Sequence, residues 1–116
     1  MNKYKKAIVF IILMFFVSST FAIQVMVSSQ STEKVYALGF RLNGKDYGGP
    51  GSSYSRSNLP AGVYTFGLRL GGLIFSARDV GCYYHGKKSV ALSKDTRAFL
   101  RYNGHSCSVS LSPSPR

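Results

Sequence analysis

From about residue 34 onward, the chain is a succession of short runs of alternating polarity separated by glycine-containing turns. Alternation of apolar and polar residues has the two-residue period of a β-strand with one buried face. No run in this part keeps the 3.6-residue period of an amphipathic helix. The pattern predicts an all-β domain, a small antiparallel β-sandwich or barrel of about six or seven short strands.

Two predicted hairpins follow from the register of neighbouring runs. Gly71-Gly72 separates the runs 63–70 and 73–80, so a two-residue turn would place Leu68 opposite Phe75 on one apolar face.

The second predicted hairpin joins 97–102 to 107–111. If Tyr102 faces Cys107, then Leu100 faces Val109, and the apolar positions of both runs share one face.

The first strand of the predicted domain is followed by an irregular segment. Residues 34–42 alternate, with Tyr36, Leu38, Phe40 and Leu42 as the expected buried face, and Asn43-Gly44 supports the positive φ of a turn. Residues 45–58 contain three glycines, one proline and four serines, which predicts a surface loop, ordered or flexible.

That predicted loop has the tyrosine, serine and glycine composition of many binding loops. Its candidate contact residues are Tyr47, Tyr54 and Arg56. The alternative is a solvated connector without a binding role.

Residues 1–22 have the three parts of a signal peptide. Lysines at 3, 5 and 6 give a charged start, 7–17 is an unbroken apolar run, and Thr20 and Ala22 form a small-x-small exit. An uncleaved membrane anchor is the alternative, because the apolar stretch reaches Val27 if a few polar residues are tolerated. Either reading predicts a periplasmic or secreted domain, with membrane contact only if the segment is retained.

Cleavage after Ala22 would leave 94 of the 116 residues, enough for one domain. Within them we expect a flexible leader at 23–33, a single β domain at 34–112 and a tail at 113–116.

Cys82 and Cys107 are the two cysteines of the chain. An even pair in an oxidising compartment indicates a disulfide, and closing a loop of about 25 residues stabilises a fold by roughly 3 kcal/mol. Zinc is the alternative, since His85 and His105 lie near the cysteines. The tight spacing of His105 and Cys107 disfavours it, so we expect no metal and no cofactor.

The chain is strongly basic. Its formal net charge of +11 falls to +8 without the signal, which holds three lysines and no acid. Such a charge favours anionic partners such as lipopolysaccharide, anionic lipid or nucleic acid, although many exported proteins are basic without one. The candidate basic surface comprises Arg69, Arg78, Lys87, Lys88, Arg97 and Arg101. In the predicted registers Arg69 and Arg78 share one face, and Arg97 and Arg101 share a face of the next hairpin.

Few residues are available for catalysis. The four acids are Glu33, Asp46, Asp79 and Asp95, and their spacing arranges no facing pair. We expect Asp79 to pair with an arginine or a tyrosine hydroxyl at a strand end, and Asp95 to accept backbone N–H groups of its own turn. No nucleophile-elbow, phosphate-loop or zinc-protease motif occurs, so an enzyme is not expected.

One stretch resembles a known family. Residues 59–66 (LPAGVYTF), preceded by Phe40-Arg41-Leu42-Asn43-Gly44, resemble the turn-into-strand pattern of PEGA-type modules, which are small transthyretin-like β-sandwiches of exported bacterial proteins. Pro60 sets φ, Gly62 permits the tight entry and Tyr64 begins the inward face. The resemblance covers residues 40–66 and implies the fold class, with no site residues carried over.

Together these observations predict an exported, non-enzymatic binding module that docks a protein or an envelope component through its loops. Immunity proteins and enzyme inhibitors are subtypes of this class. A binder of anionic polymers is the first alternative, and a small secreted toxin or effector acting on membranes is the second.

Overall fold

The computed structural model describes residues 22–71 and 78–114, which form nine strands and no helix. The strands are β1 (Ala22–Ser31), β2 (Val35–Leu42), β3 (Lys45–Pro50), β4 (Ser53–Pro60), β5 (Gly62–Leu70), β6 (Arg78–Tyr83), β7 (Val90–Leu92), β8 (Thr96–Tyr102) and β9 (Cys107–Pro113). The predicted all-β class is confirmed, with more strands than expected.

The predicted signal peptide lies outside the described residues except for Ala22. Within the described ranges, no helix has the length and hydropathy that crossing a membrane would require.

All nine strands belong to one strongly curled sheet that nearly closes on itself as a barrel. Its order is β3-β2-β5-β6-β9-β8-β1-β4, and β7 pairs with the start of β5. Most pairs are antiparallel as predicted, whereas β1–β8 and β6–β9 are parallel. The end strands β3 and β4 are joined by a short turn but are not hydrogen-bonded neighbours, so a seam separates them.

The expectation of a flexible leader at 23–33 is wrong, because most of it is β1, an interior strand between β4 and β8. Val25 is fully buried, and Ile23 and Val27 are almost so. Both neighbours of β1 are distant in sequence, and Val25 pairs with Arg56 and Thr96. The run therefore has no local partner that would have marked it as a strand.

The expectation of an irregular loop at 45–58 is also wrong, since the segment forms β3 and β4. The composition of the segment does not reveal the partners of these strands. β3 pairs with β2, and β4 pairs with β1. The predicted turn at Asn43-Gly44 is confirmed, with φ of 53° and 77°. It is the two-residue connection that brings Lys45 opposite Leu42 and starts the β2–β3 ladder.

The predicted hairpin register at Gly71-Gly72 is wrong. Leu68 faces Val80 and not Phe75, a shift of five residues, and residues 72–77 lie outside the described ranges. An odd shift exchanges the two faces of β6, so Cys82 points inward opposite Phe66. The predicted register of β8 and β9 is confirmed, with Tyr102 facing Cys107 and Leu100 facing Val109.

The predicted disulfide is confirmed. Cys82 and Cys107 are register partners on β6 and β9, with their Cα atoms 4.5 Å apart. These strands pair at only two positions, the second being Tyr83 with Ser108. The disulfide therefore joins the two halves of the sheet where the hydrogen-bonded contact between them is shortest.

The core lies inside the curled sheet and draws on β1, β2, β4–β9. Leu38, Phe40 and Leu42 are buried as predicted, but Tyr36 is 61% exposed. A β-bulge between Val35 and Ala37 causes this difference: the extra residue turns Val35 toward the core and Tyr36 outward.

Candidate binding surfaces

The three candidate contact residues Tyr47, Tyr54 and Arg56 lie together at the seam between β3 and β4, on strands and not in a loop. With Lys45 they form what we call the seam surface. Tyr47 stacks on the buried ring of Phe40 with centroids 5.5 Å apart, and Tyr54 lies 6.0 Å from the same ring. Both tyrosines are half-buried and pack against the core.

Two cations flank Tyr47. The Lys45 ammonium lies 5.3 Å and the Arg56 guanidinium 5.2 Å from the centre of its ring. Contacts of this kind at exposed sites contribute about 0.5–1 kcal/mol each. Neither cation forms an ion pair with any residue in the described ranges. The ring thus positions two charges that have no anionic partner among the described residues.

Strand register explains why these residues meet. Tyr47 pairs with Phe40, and Tyr54 and Arg56 pair with Val27 and Val25, so all project toward the inner side of the curled sheet. At the two end strands that inner side opens at the seam. The composition of the segment indicated the two tyrosines and Arg56 as contact residues but not Lys45 beside them. The two-residue spacing of Lys45 from Tyr47 places both on the same side of a strand.

The candidate basic surface does not form one continuous patch. Leu70 faces Arg78 while Asp79 faces Arg69, so the corrected register directs the two arginines to opposite faces of the sheet. Both are ion-paired: Arg69 with Asp79 at 2.8 Å and Arg78 with Glu33 at 2.7 Å.

The carboxylate of Asp79 is therefore a partner of Arg69, as the sequence predicts, and is exposed. The hydrogen bond from Arg69 lowers the pKa of Asp79 below its ordinary value. Lys87 and Lys88 lie apart from these pairs, in and after the tight turn at His85-Gly86.

Arg97 and Arg101 do share a face, the outer face of β8, as predicted. With Phe99 between them they form what we call the β8 face, and the Arg101 guanidinium lies 5.4 Å from the Phe99 ring centre. The flanking positions opposite Phe99 are Ser28 on β1 and Ser110 on β9. These residues present two arginines on a polar, uncharged background.

The acid next to the β8 face, Asp95, binds across the sheet. Its Oδ1 accepts the backbone N–H of Gln24 at 2.8 Å, which ties the start of β8 to β1. This contact spans 71 positions of the chain, whereas the sequence led us to expect hydrogen bonds within the turn of Asp95 itself. In the described ranges, no group of three or more His, Cys, Asp or Glu side chains lies close enough together to hold a metal ion.

The turn that carries the PEGA-like pattern is closed by a side chain. The buried hydroxyl of Tyr64 donates a hydrogen bond of 2.6 Å to the carbonyl oxygen of Pro60, which fixes the corner between β4 and β5. Burial raises the pKa of this hydroxyl, and the nearby Tyr47 adds to the effect.

The chain matches no protein-family model, no curated protein and no solved structure. The resemblance to PEGA-type modules therefore stays an expectation.

Proposed function

We propose that this protein is an exported, non-enzymatic binding module that docks a protein partner through the seam surface. The observation that carries the proposal is the convergence of Tyr47 and Tyr54 with two cations that have no acid partner in the described part of the chain. Tyrosine and arginine are the residue types enriched where protein interfaces gain most of their binding energy.

The arrangement favours a partner with carboxylates. Lys45 and Arg56 are already held beside the Tyr47 ring, so little side-chain freedom would be lost when they meet anionic groups. The half-buried rings offer apolar contact between the charges. The Cys82–Cys107 disulfide is consistent with the oxidising compartment that export would supply.

Site-directed photocrosslinking in the producing cells tests the proposal. Tyr54→p-azidophenylalanine keeps an aromatic ring at the seam, and Val63→p-azidophenylalanine places the same probe at an exposed position of β5. We expect a discrete covalent adduct at position 54 and none at 63. Charge reversal by Arg56→Glu should abolish that adduct, because it places an acid against the acidic partner.

Two results would contradict docking at the seam: no adduct at position 54, or equal adducts at both positions that survive Arg56→Glu. Thermal melting of each variant serves as the control for folding, since both probe positions lie on strands.

The β8 face supports a second candidate function, the binding of an anionic polymer. Arg97 and Arg101 lie on one exposed face without an adjoining ion pair. Retention on heparin should fall steeply with salt, because neutralised anionic groups release counterions. Arg97→Gln with Arg101→Gln should reduce that slope more than Lys34→Gln with Lys94→Gln, which removes the same charge elsewhere. Equal slopes for the two double variants would argue against a site on β8.

A further inference from the structure

Four glycines lie side by side on the outer face of the sheet. Gly48 pairs with Gly39, Gly39 with Gly67, and Gly67 with Gly81, so the row crosses β3, β2, β5 and β6 in register. The four glycines contribute no side chains of their own along this row. The sequence contains the four glycines at scattered positions, and only the strand pairing shows that they are neighbours.

The row is the floor of a groove of about 780 Å³. One wall carries the Arg41–Asp46 pair and Thr65, and the other carries the Arg69–Asp79 pair. Both pairs are bidentate, with shortest N–O distances of 2.7 Å and 2.8 Å. The hydrogen bond from Arg69 lowers the pKa of Asp79, and the Asp46 carboxylate of the other wall acts weakly in the opposite direction.

Packing explains only part of the glycine row. A Cβ on Gly39 would collide with the carbonyl oxygen of Tyr47, and one on Gly48 would lie 2.6 Å from that of Leu38. At Gly67 the nearest atom, the carbonyl oxygen of Val80, is 3.1 Å away, which is tight. At Gly81 the nearest is a carbon of the Tyr83 ring at 3.9 Å, an ordinary contact, and the backbone there does not have positive φ.

Neither the backbone conformation nor the surrounding space therefore requires glycine at position 81. Glycine weakens a strand relative to residues with side chains, and β-branched residues suit such a position better. Its effect is to keep this end of the groove floor bare. The ring of Tyr83, 47% exposed, borders that end, and Tyr36, 61% exposed, lines the groove farther along.

The strands under the groove restrict how a ligand could be held. β2 and β5 are interior strands whose backbone groups are used in their ladders. Over these two strands a ligand would take its hydrogen bonds from the wall side chains, and each Arg–Asp pair offers donors and acceptors together. The two pairs are neutral overall and hold two of the four acids of a chain with a net charge of +11. An anionic polymer would meet carboxylates here and is disfavoured.

From this juxtaposition of a bare glycine floor, paired donors and acceptors, and exposed tyrosines, we propose that the groove binds an uncharged, hydroxyl-rich chain, an oligosaccharide. Hydroxyl groups both donate to carboxylates and accept from guanidinium groups, and the apolar faces of sugar rings pack on tyrosine rings. The groove is separate from the seam surface, because Gly48 and the side chain of Tyr47 point to opposite faces of β3. It does not depend on a protein partner at the seam.

Titration of the purified, ¹⁵N-labelled protein with maltohexaose, chitotetraose and xylotetraose tests the proposal by amide chemical shifts. At least one probe should shift the amide signals of Gly39, Gly67 and Gly81, with a dissociation constant of about 1 mM or tighter. Gly81→Thr should weaken binding at least about tenfold by filling the floor, while its melting temperature stays the same or rises. Ser110→Thr makes a comparable small-to-Thr change on the exposed face of β9 and should bind like the unaltered protein.

A second variant keeps the test decisive if Gly81→Thr should fail to fold. Asp79→Asn preserves shape and removes one wall carboxylate, so affinity should fall about tenfold. The proposal is overturned if none of the three probes shifts these amides at about 10 mM. It is equally overturned if the shifts map to another surface, if a sulfated heparin fragment occupies the groove instead, or if both variants bind unchanged.

Discussion

At the scale of single residues, the close approach of β2 and β3 depends on Gly39. The position where its Cβ would stand is occupied by the backbone carbonyl of Tyr47, which cannot move without shifting the strand. A Cβ on Gly81, in the same row, would make only an ordinary contact, 3.9 Å from the Tyr83 ring. Two glycines on one face therefore have different physical roles.

Substitution by alanine separates these roles. Gly39→Ala should lower the free energy of unfolding by about 1–3 kcal/mol, because the added methyl group forces the backbone apart. Gly81→Ala should leave it within about 0.5 kcal/mol or raise it slightly. Urea denaturation of the two variants measures the difference, and equal losses would contradict the assignment.

Tyr64 provides a second prediction at this scale. Tyr64→Phe removes the hydrogen bond to Pro60 and should cost about 0.5–1.5 kcal/mol, whereas Tyr83→Phe, at an exposed position, should cost little. Burial raises the pKa of Tyr64, so the folded state holds this proton more tightly than the unfolded state. The resulting stabilisation is complete below about pH 10 and is lost as pH rises through the folded-state value. The Tyr64→Phe variant lacks this proton, so its free energy of unfolding should fall less than that of the unaltered protein as pH rises above about 10. Equal alkaline losses in the two proteins would contradict this.

At the scale of elements, predictability follows the sequence distance between partners. The β8–β9 register could be predicted because both strands and their turn are local, and Tyr102 opposite Cys107 follows from alternation alone. The β1 strand could not be predicted, because both of its partner strands are distant in sequence. Val25 pairs with Arg56 on one side and with Thr96 on the other. The prediction of the β5–β6 register failed because it assumed a two-residue turn, whereas Leu70 pairs with Arg78. In the observed register Cys82, the partner of Cys107, lies on the buried face of β6.

The candidate site shows the same limit. Composition alone indicated Tyr47, Tyr54 and Arg56 as contact residues, but their meeting at a seam depends on β3 and β4 having different partners. The glycine row could not be read from sequence because it runs across four strands.

The position of β1 leads to a prediction about truncation. A chain that begins at Lys34 removes an interior strand and the buried side chains of Ile23, Val25 and Val27, so it should not fold. A chain that begins at Ala22 keeps the whole strand and should fold. Amide proton dispersion in NMR spectra distinguishes the two; a folded chain from Lys34 onward would refute the interior position of β1.

The disulfide joins β6 and β9 where hydrogen bonding between them is shortest. Cys82→Ser should lower the free energy of unfolding by about 2–4 kcal/mol. Cys82→Ser with Cys107→Ser should behave similarly, because the bond is lost in both. Denaturation under non-reducing conditions measures the effect, and two free thiols in the intact mass of the native protein would disprove the pairing.

At the scale of the whole molecule, charge is distributed unevenly. Three of the four acids form ion pairs with Arg41, Arg69 and Arg78, and two of those pairs line the glycine groove. The cations left without an acid in the described ranges include Lys45 and Arg56 at the seam and Arg97 and Arg101 on the β8 face. The molecule thus presents a neutral groove and two basic surfaces on different parts of one barrel.

Docking of a protein partner at the seam surface should change the amide hydrogen exchange of the strands that form it. The comparison is between the protein alone and the protein with the partner captured at position 54. We predict slower exchange confined to residues 45–60, with β8 and β9 unchanged. Protection of 96–113 with unchanged exchange at the seam would contradict the claim and favour the β8 face as the binding surface.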